Sequence, residues 1–122
     1  MENNILLMGR TPSIEKEYIN NDIFLMTSNY EGLPNALIEA MASRLICIST
    51  DCKTGPKDLI ESGENGFLIE TNNIEQLVSA IRLVLDMNNE SQNEIAGKAR
   101  DKILEYCSQT NSAEKLYQLL EL

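Results

Sequence analysis

The chain has 122 residues, of which 43% are hydrophobic and 24% charged, with a net charge of −9 and no histidine. This acidity argues against nucleic acid or an anionic membrane as a partner, and the lack of histidine excludes Ser-His-Asp catalysis and histidine-ligated metals from this chain. No apolar run approaches the roughly 20 residues of a membrane span, and the N-terminus lacks a basic signal-peptide region, so we expect a cytoplasmic protein.

The first half of the chain alternates short apolar runs with helical patterns. Apolar runs bounded by turn residues are typical of buried strands, and a 3.6-residue apolar period is typical of helices. In chain order, the patterns predict strand Ile5–Met8, a helix from Ser13 to about Asn20, strand Ile23–Thr27, a helix from Pro34 to about Ser43, strand Leu45–Thr50, a helix from Pro56 to about Ser62 and strand Phe67–Ile69.

The rest of the chain has the apolar periodicity of helices alone, over residues 74–85, 95–106 and 113–120. Apolar strands that alternate with helices predict an α/β fold, in which a mostly parallel sheet of about four strands is flanked by helices. The three cysteines form no C-x-x-C pair, which favours reduced, buried or incidental thiols.

Polar residues follow three of the predicted strands. Gly9-Arg10-Thr11 follows the first strand, Glu31 follows the second, and residues 50–55 follow the third. Because ligands bind beyond the carboxyl ends of parallel strands, we expect these three loops to converge on one ligand site.

The joint between the second strand and the next helix has features that a nucleotide-sugar needs. Gly32 leaves backbone N–H groups uncovered, and Pro34 suits the first turn of a helix, where its missing N–H is no loss. Free amides and partial positive charge at a helix N-terminus suit a diphosphate. Glu31 and Glu39, eight residues apart, can each accept hydrogen bonds from sugar hydroxyls, and Asn35 lies one turn before Glu39 on the same helix face.

The run from Glu31 to Ala42 resembles the E-x7-E signature of retaining glycosyltransferases of family four, including the Glu-Ala-Met-Ala near its end. The resemblance is looser over the rest of the chain. It implies that residues 1–122 are a partial C-terminal, donor-binding Rossmann-like domain of a GT-B enzyme, without the acceptor domain and the first strands of the donor domain. The chain would then be a truncated piece, a fragment gene or a subunit of a split enzyme, with little or no activity alone.

The resemblance also implies roles for individual residues. Glu39 would hold the ribose hydroxyls, and Glu31, the catalytic candidate, would face the transferred sugar. Backbone amides near the helix start would meet the diphosphate, and two earlier residues would lie close to the nucleobase. These are Gly32, Leu33, Asn35 and Ala36 for the diphosphate, and Gly9 and Arg10 for the base. The donor would be a nucleoside-diphosphate sugar with uridine as the expected base, the acceptor a polysaccharide or lipid-linked sugar, and no metal or other cofactor is implied.

Two departures from the family pattern concern local geometry. Arg44 stands where the family usually has glycine. If that glycine is needed for a left-handed C-terminal cap, Arg44 adopts this conformation with a little strain. Ile46 replaces a usual proline.

Other interpretations remain open for these residues. Glu31 and Glu39 could be ordinary helix-start carboxylates, or the two carboxylates of a glycoside hydrolase. Arg10 and Lys57 could be solvated surface residues. The chain could be a non-catalytic nucleotide-binding or interaction module, or a related GT-B epimerase, although the glutamate pair argues against the epimerase. An open sheet edge, left by the missing strands, predicts some self-association.

Overall fold

The computed structural model of the chain describes residues 4–32, 34–52 and 55–109. The amide of Leu33 and the helix predicted over 113–120 lie outside these residues. The helices and strands of the described residues are α1 (Ile14–Asn20), β1 (Ile23–Met26), α2 (Asn35–Ala42), β2 (Ile46–Thr50), α3 (Pro56–Leu59), β3 (Phe67–Ile69), α4 (Ile74–Asp86) and α5 (Asn89–Gln109).

The three strands form a parallel sheet in the order β1-β2-β3. Ile23 of β1 lies opposite Ile46 of β2, and Ile48 of β2 lies opposite Phe67 of β3. All of β2 is buried, because it has a strand on either side and helices above and below. The predicted α/β class, with a parallel sheet flanked by helices, is confirmed.

Helices cover the sheet on both faces. On one face α2 packs against α5, and Leu37, Met41 and Ile103 are fully buried between them and the sheet. On the other face α4 packs on β2 and β3 and buries Val84 in a cluster with Ile48. The long α5 contributes apolar residues to both clusters, so it ties the two layers together.

The strand predicted at Ile5–Met8 is wrong. Residues 5–13 belong to no helix or strand, and the four apolar side chains of Ile5–Met8 are 60% to 93% exposed. An apolar run becomes a strand only where a neighbouring strand can take its backbone hydrogen bonds. Within the described residues, β1 pairs with β2 alone, and the sheet has three strands instead of about four.

Two predicted helices differ from expectation at their ends. The helix predicted from Ser13 begins at Ile14, and Ser13 stands at its N-cap without a side-chain capping hydrogen bond. The helix predicted to run to about Ser62 ends at Leu59. The buried side chain of Asn65 explains this end, since it donates to the Leu59 carbonyl at 3.1 Å and accepts from the Glu61 amide at 2.8 Å.

Other helix ends follow the sequence closely. Arg44 has a φ of 63° just after α2, which confirms the left-handed conformation expected there. Asn73 caps α4 by accepting a hydrogen bond from the Gln76 amide at 3.0 Å.

All three cysteines are free and buried. Over the described ranges, no helix is both long and apolar enough to cross a bilayer.

Candidate functional site

The loops at the carboxyl ends of the strands are joined to one another. The Thr50 hydroxyl, at the end of β2, donates a hydrogen bond to the Ser28 carbonyl in the loop after β1. The Asp51 amide donates to the Ile69 carbonyl of β3 at 2.7 Å. The loops after β1 and β2 and the end of β3 are therefore joined at one edge of the sheet, where parallel sheets bind ligands. Of the three loops predicted to converge, the one at residues 9–11 follows no strand, and its place beside the other two stays a prediction.

A close contact between Gly55 and Pro34 connects the starts of two helices. A Cβ placed on Gly55, which has a φ of 104°, would lie 2.7 Å from Pro34 Cδ. Gly55 precedes α3 and Pro34 precedes α2. Only glycine allows this approach, so Gly55 helps to fix the start of α2.

The N-terminus of α2 has exposed backbone and lacks a side-chain cap. Pro34 occupies the N-cap position, where its side chain offers no acceptor, and the first helical bond runs from the Ile38 amide to the Pro34 carbonyl at 3.0 Å. The amides of residues 35–37 precede that bond and have no carbonyl within the helix. Asn35, Ala36 and Gly32 are exposed, and a side chain on Gly32 would enter open space. Such a helix start can receive an anion.

Glu31 lies between β1 and α2, at the expected edge of the sheet. Its side chain is half-buried, and Oε1 accepts a hydrogen bond from the Ser28 hydroxyl at 2.7 Å. Ser28 is itself tied to Thr50 through its carbonyl. The position of the Glu31 carboxylate is therefore set by the packed loops around it.

Glu39 lies on α2 and is held by a residue from a different helix. The Tyr18 hydroxyl of α1 donates to Glu39 Oε2 at 3.0 Å. Burial, and then the hydrogen bond and negative charge of Glu39, raise the pKa of Tyr18 well above its usual value. A cavity of about 430 Å³ adjoins this pair. It is lined by Ile14, Glu17, Tyr18, Asn21, Ile23, Phe24, Ala36, Glu39 and Leu45.

The structure brings most of the predicted site residues together along one segment. Glu31 and Gly32 lie just before α2, and Asn35, Ala36 and Glu39 lie within its first two turns. Gly9 and Arg10 lie in the exposed segment before α1, outside any helix or strand, and Gly9 has a φ of 65°.

Sequence reasoning missed Tyr18 as a partner of the site. The apolar period of α1 predicts Tyr18 on the buried side of that helix, and the residue is indeed buried. No local pattern links it to Glu39, 21 residues further along the chain. As for metals, the described part of the chain contains no group of three or more cysteine, aspartate or glutamate side chains that could hold an ion.

Comparison with known protein families gives a consistent result. The family model of glycosyl transferases group 1 matches residues 1–102. The chain is 37% identical, over 119 residues, to poly(ribitol-phosphate) α-N-acetylglucosaminyltransferase of Staphylococcus aureus (strain COL). This match covers 98% of the chain and 24% of the S. aureus enzyme, so the chain spans about a quarter of that relative's length.

Solved structures that resemble this chain also include glycosyltransferases. The crystal structure of TarM matches 98% of this chain with 24% of its own, at 35% identity and a TM-score of 0.85. A mutant of S. aureus TarM, in complex with fondaparinux, α-GlcNAc-glycerol and UDP, matches 97% of this chain at 36% identity and the same TM-score of 0.85, again over 24% of its own length. The C-terminal domain of a group 1 glycosyl transferase from Francisella tularensis matches 83% of this chain with 51% of its own, at 26% identity and a TM-score of 0.71.

Proposed function

The chain belongs to the group 1 glycosyl transferases, and we propose that it is the donor-binding part of a retaining enzyme that transfers a sugar from UDP. The acceptor would be a polysaccharide or a lipid-linked sugar. The observation that carries this proposal is the N-terminus of α2, which has no side-chain cap, with Glu31 just before the helix and Glu39 on its second turn.

The start of α2 would bind the diphosphate. The amides of residues 35–37 have no carbonyl within the helix, and the helix dipole adds partial positive charge at the same point. The exposed backbone of Gly32 would allow a phosphate to approach closely. These groups would also stabilise the negative charge that develops on the departing UDP, which is the main catalytic task in such a transfer.

The two carboxylates would bind sugar hydroxyls on either side of the diphosphate. Glu39, on the second turn of α2, would accept hydrogen bonds from the ribose hydroxyls, and Glu31, just before the helix, would face the transferred sugar. Glu31 is the catalytic candidate because it would lie closest to the reacting carbon. We place the nucleobase near Gly9 and Arg10, and no metal or other cofactor enters the proposal.

The names of two relatives support the choice of a UDP donor and of a lipid-linked acceptor. A mutant of S. aureus TarM was crystallised with UDP, and another relative is a UDP-Gal:α-D-GlcNAc-diphosphoundecaprenol α-1,3-galactosyltransferase of Escherichia coli, 29% identical over 119 residues. We therefore propose a hexosyltransferase that uses UDP-sugars. Because the chain spans about a quarter of the S. aureus enzyme, we expect residues 1–122 to lack transferase activity until the rest of the cleft is supplied.

The edge of β1 that faces away from β2, called here the free side of β1, would bind another polypeptide. Leu25 is 44% exposed, and the apolar segment Ile5–Met8 is also exposed. Unpaired strand edges with apolar side chains readily pair with another chain. We propose that the remainder of the donor domain, with an acceptor domain, covers this side in a complete or split enzyme, and that the isolated chain self-associates there. The three free, buried thiols fit a reducing compartment, in support of a cytoplasmic location.

Calorimetric titration of the chain with UDP and GDP tests the proposal. We expect UDP to bind, and Glu39→Ala to weaken its binding by about tenfold to a hundredfold, because hydrogen bonds to a charged group contribute most per contact. Glu105→Ala, at an exposed position of α5, is the matched control and should bind UDP as the native chain does. Equal UDP affinity in the Glu39→Ala and native chains would contradict the ribose role of Glu39.

A further inference from the structure

We propose that Tyr18 is a positioning residue, which orients the Glu39 carboxylate for the ribose hydroxyls of the donor. This inference rests on the proposed function, because it assigns a partner to the residue that would bind the ribose. The contact joins α1 to α2 and links two side chains that are 21 residues apart in sequence.

The position of the Tyr18 hydroxyl is fixed by packing. The side chain is 6% exposed, and its ring meets Phe24 of β1 edge-to-face, with 6.3 Å between the ring centroids and 67° between the planes. Edge-to-face pairs hold aromatic rings in a definite orientation. A ring held in this way carries its hydroxyl to one place, 3.0 Å from Glu39 Oε2.

The hydrogen bond leaves the second oxygen of Glu39 available. Tyrosine has a single hydroxyl proton, and in Tyr18 it is donated to Oε2. Over the described residues, Oε1 accepts no hydrogen bond, while the half-buried Glu39 lines the cavity of about 430 Å³. Oε1 and the remaining lone pair of Oε2 can therefore accept hydrogen bonds from a vicinal diol.

Fixing the carboxylate before the donor arrives would strengthen binding. A free glutamate side chain loses rotamer freedom when it binds a ligand, and a pre-oriented one has already lost it. The benefit should apply only to ligands that have the hydroxyls to which Glu39 binds. Tyr18 would then control how strongly the site distinguishes a ribose from a deoxygenated sugar.

The test compares UDP with 2′,3′-dideoxyuridine diphosphate in the native chain, Tyr18→Phe and Tyr106→Phe. Tyr18→Phe removes the hydroxyl but keeps the ring that packs on Phe24. We expect it to bind UDP about tenfold more weakly and the dideoxy ligand as the native chain does, so that the preference for UDP shrinks by the same factor. Tyr106→Phe makes the same change on α5 and should keep the native preference.

The outcomes distinguish a failure of the positioning role of Tyr18 from a failure of the proposed function. If the native chain does not bind UDP, both fail. If the native chain prefers UDP and Tyr18→Phe keeps that preference in full, the positioning role alone fails. An equal loss of both ligands in Tyr18→Phe would indicate a structural role only and would also overturn it.

A spectrophotometric titration provides a second measurement, should Tyr18→Phe lose its helical circular dichroism. In the native chain one tyrosine should ionise well above pH 10, because burial and Glu39 oppose its charge. In Glu39→Gln that ionisation should move towards pH 10, since the negative charge is removed. An unchanged titration would show that the contact does not exist in solution and would overturn the inference.

Discussion

β1 and β2 are adjacent strands, and the more apolar of the two, β1, is the less buried. All five residues of β2 are buried, whereas only Met26 is buried in β1 and Leu25 is 44% exposed. In the part of the chain that the structure describes, β2 has a strand on either side and β1 has a strand on one side. Apolar composition alone therefore does not determine how far a strand is buried, because burial also depends on the neighbours that cover it.

The segment Ile5–Met8 is a second apolar run that is exposed. Its four apolar side chains are more exposed than those of β1, and no described strand lies beside it. The S. aureus enzyme is about four times as long as the chain, and we propose that residues equivalent to its additional ones supply the missing neighbours of both β1 and this segment. The contrast between β2 and β1 can be tested by substitution.

The largest effect is expected from shortening a side chain in each strand. Ile48→Ala, in β2, should destabilise the fold by about 3–4 kcal/mol, because Ile48 is fully buried and its truncation leaves a cavity. Leu25→Ala, in β1, should cost less than about 1 kcal/mol, because that side chain is already partly in water. Urea denaturation followed by circular dichroism measures both. A similar loss of unfolding free energy in the two variants would mean that the free side of β1 is covered in solution.

The second effect concerns two glycines with positive φ. Gly55→Ala should cost about 2–3 kcal/mol, because it adds a clash with Pro34 to the strain of a left-handed residue. Gly63→Ala should cost about 1 kcal/mol, because Gly63 has a φ of 89° but open space around it. The comparison isolates the contact that fixes the start of α2. Equal costs for the two variants would show that this contact is not tight.

The third effect is a pH dependence that originates in β2. Burial raises the pKa of Cys47 to about 12, from an ordinary value of 9.0. The unfolded chain therefore releases this proton first, and the stability that Cys47 contributes is complete below pH 9 and is lost as the pH rises towards 12. Between pH 8 and pH 10 we expect a loss of about 1.4 kcal/mol from this group. The cost of Cys47→Ala should be smaller at pH 10 by that amount, and an equal cost at both pH values would contradict it.

Much of the fold could be predicted from the sequence, for a physical reason. β1, β2 and β3 follow from apolar runs bounded by turn residues, and α2 follows from its apolar period and Pro34. The left-handed Arg44 follows from the family pattern. These features depend on residues close together in sequence. The pairing of Ile5–Met8 depends on a neighbour that the described chain does not supply, and local pattern cannot reveal it.

In the candidate site too, the features that depend on residues close together in sequence could be predicted, and the contacts between distant segments could not. Glu31, Gly32 and Asn35 lie together because they are consecutive around one strand–helix joint, and their spacing alone predicts this. The contact of Tyr18 with Glu39 depends on how α1 packs beside α2, and the approach of Gly55 to Pro34 depends on two loops meeting. Contacts of this kind come from tertiary packing, which the sequence pattern does not specify.

The smallest effect on stability is expected from Leu25→Lys, which tests the free side of β1 directly. Lysine on an edge strand discourages pairing with another chain, and a partly exposed position tolerates it, so the change in unfolding free energy should stay below about 1 kcal/mol. Sedimentation velocity should show that the native chain self-associates as its concentration rises and that Leu25→Lys stays monomeric. Leu83→Lys, at a position of α4 that is 51% exposed, is the matched control and should associate as the native chain does. If both lysine variants are monomeric, general surface hydrophobicity drives association; if neither is, the chains do not meet through β1.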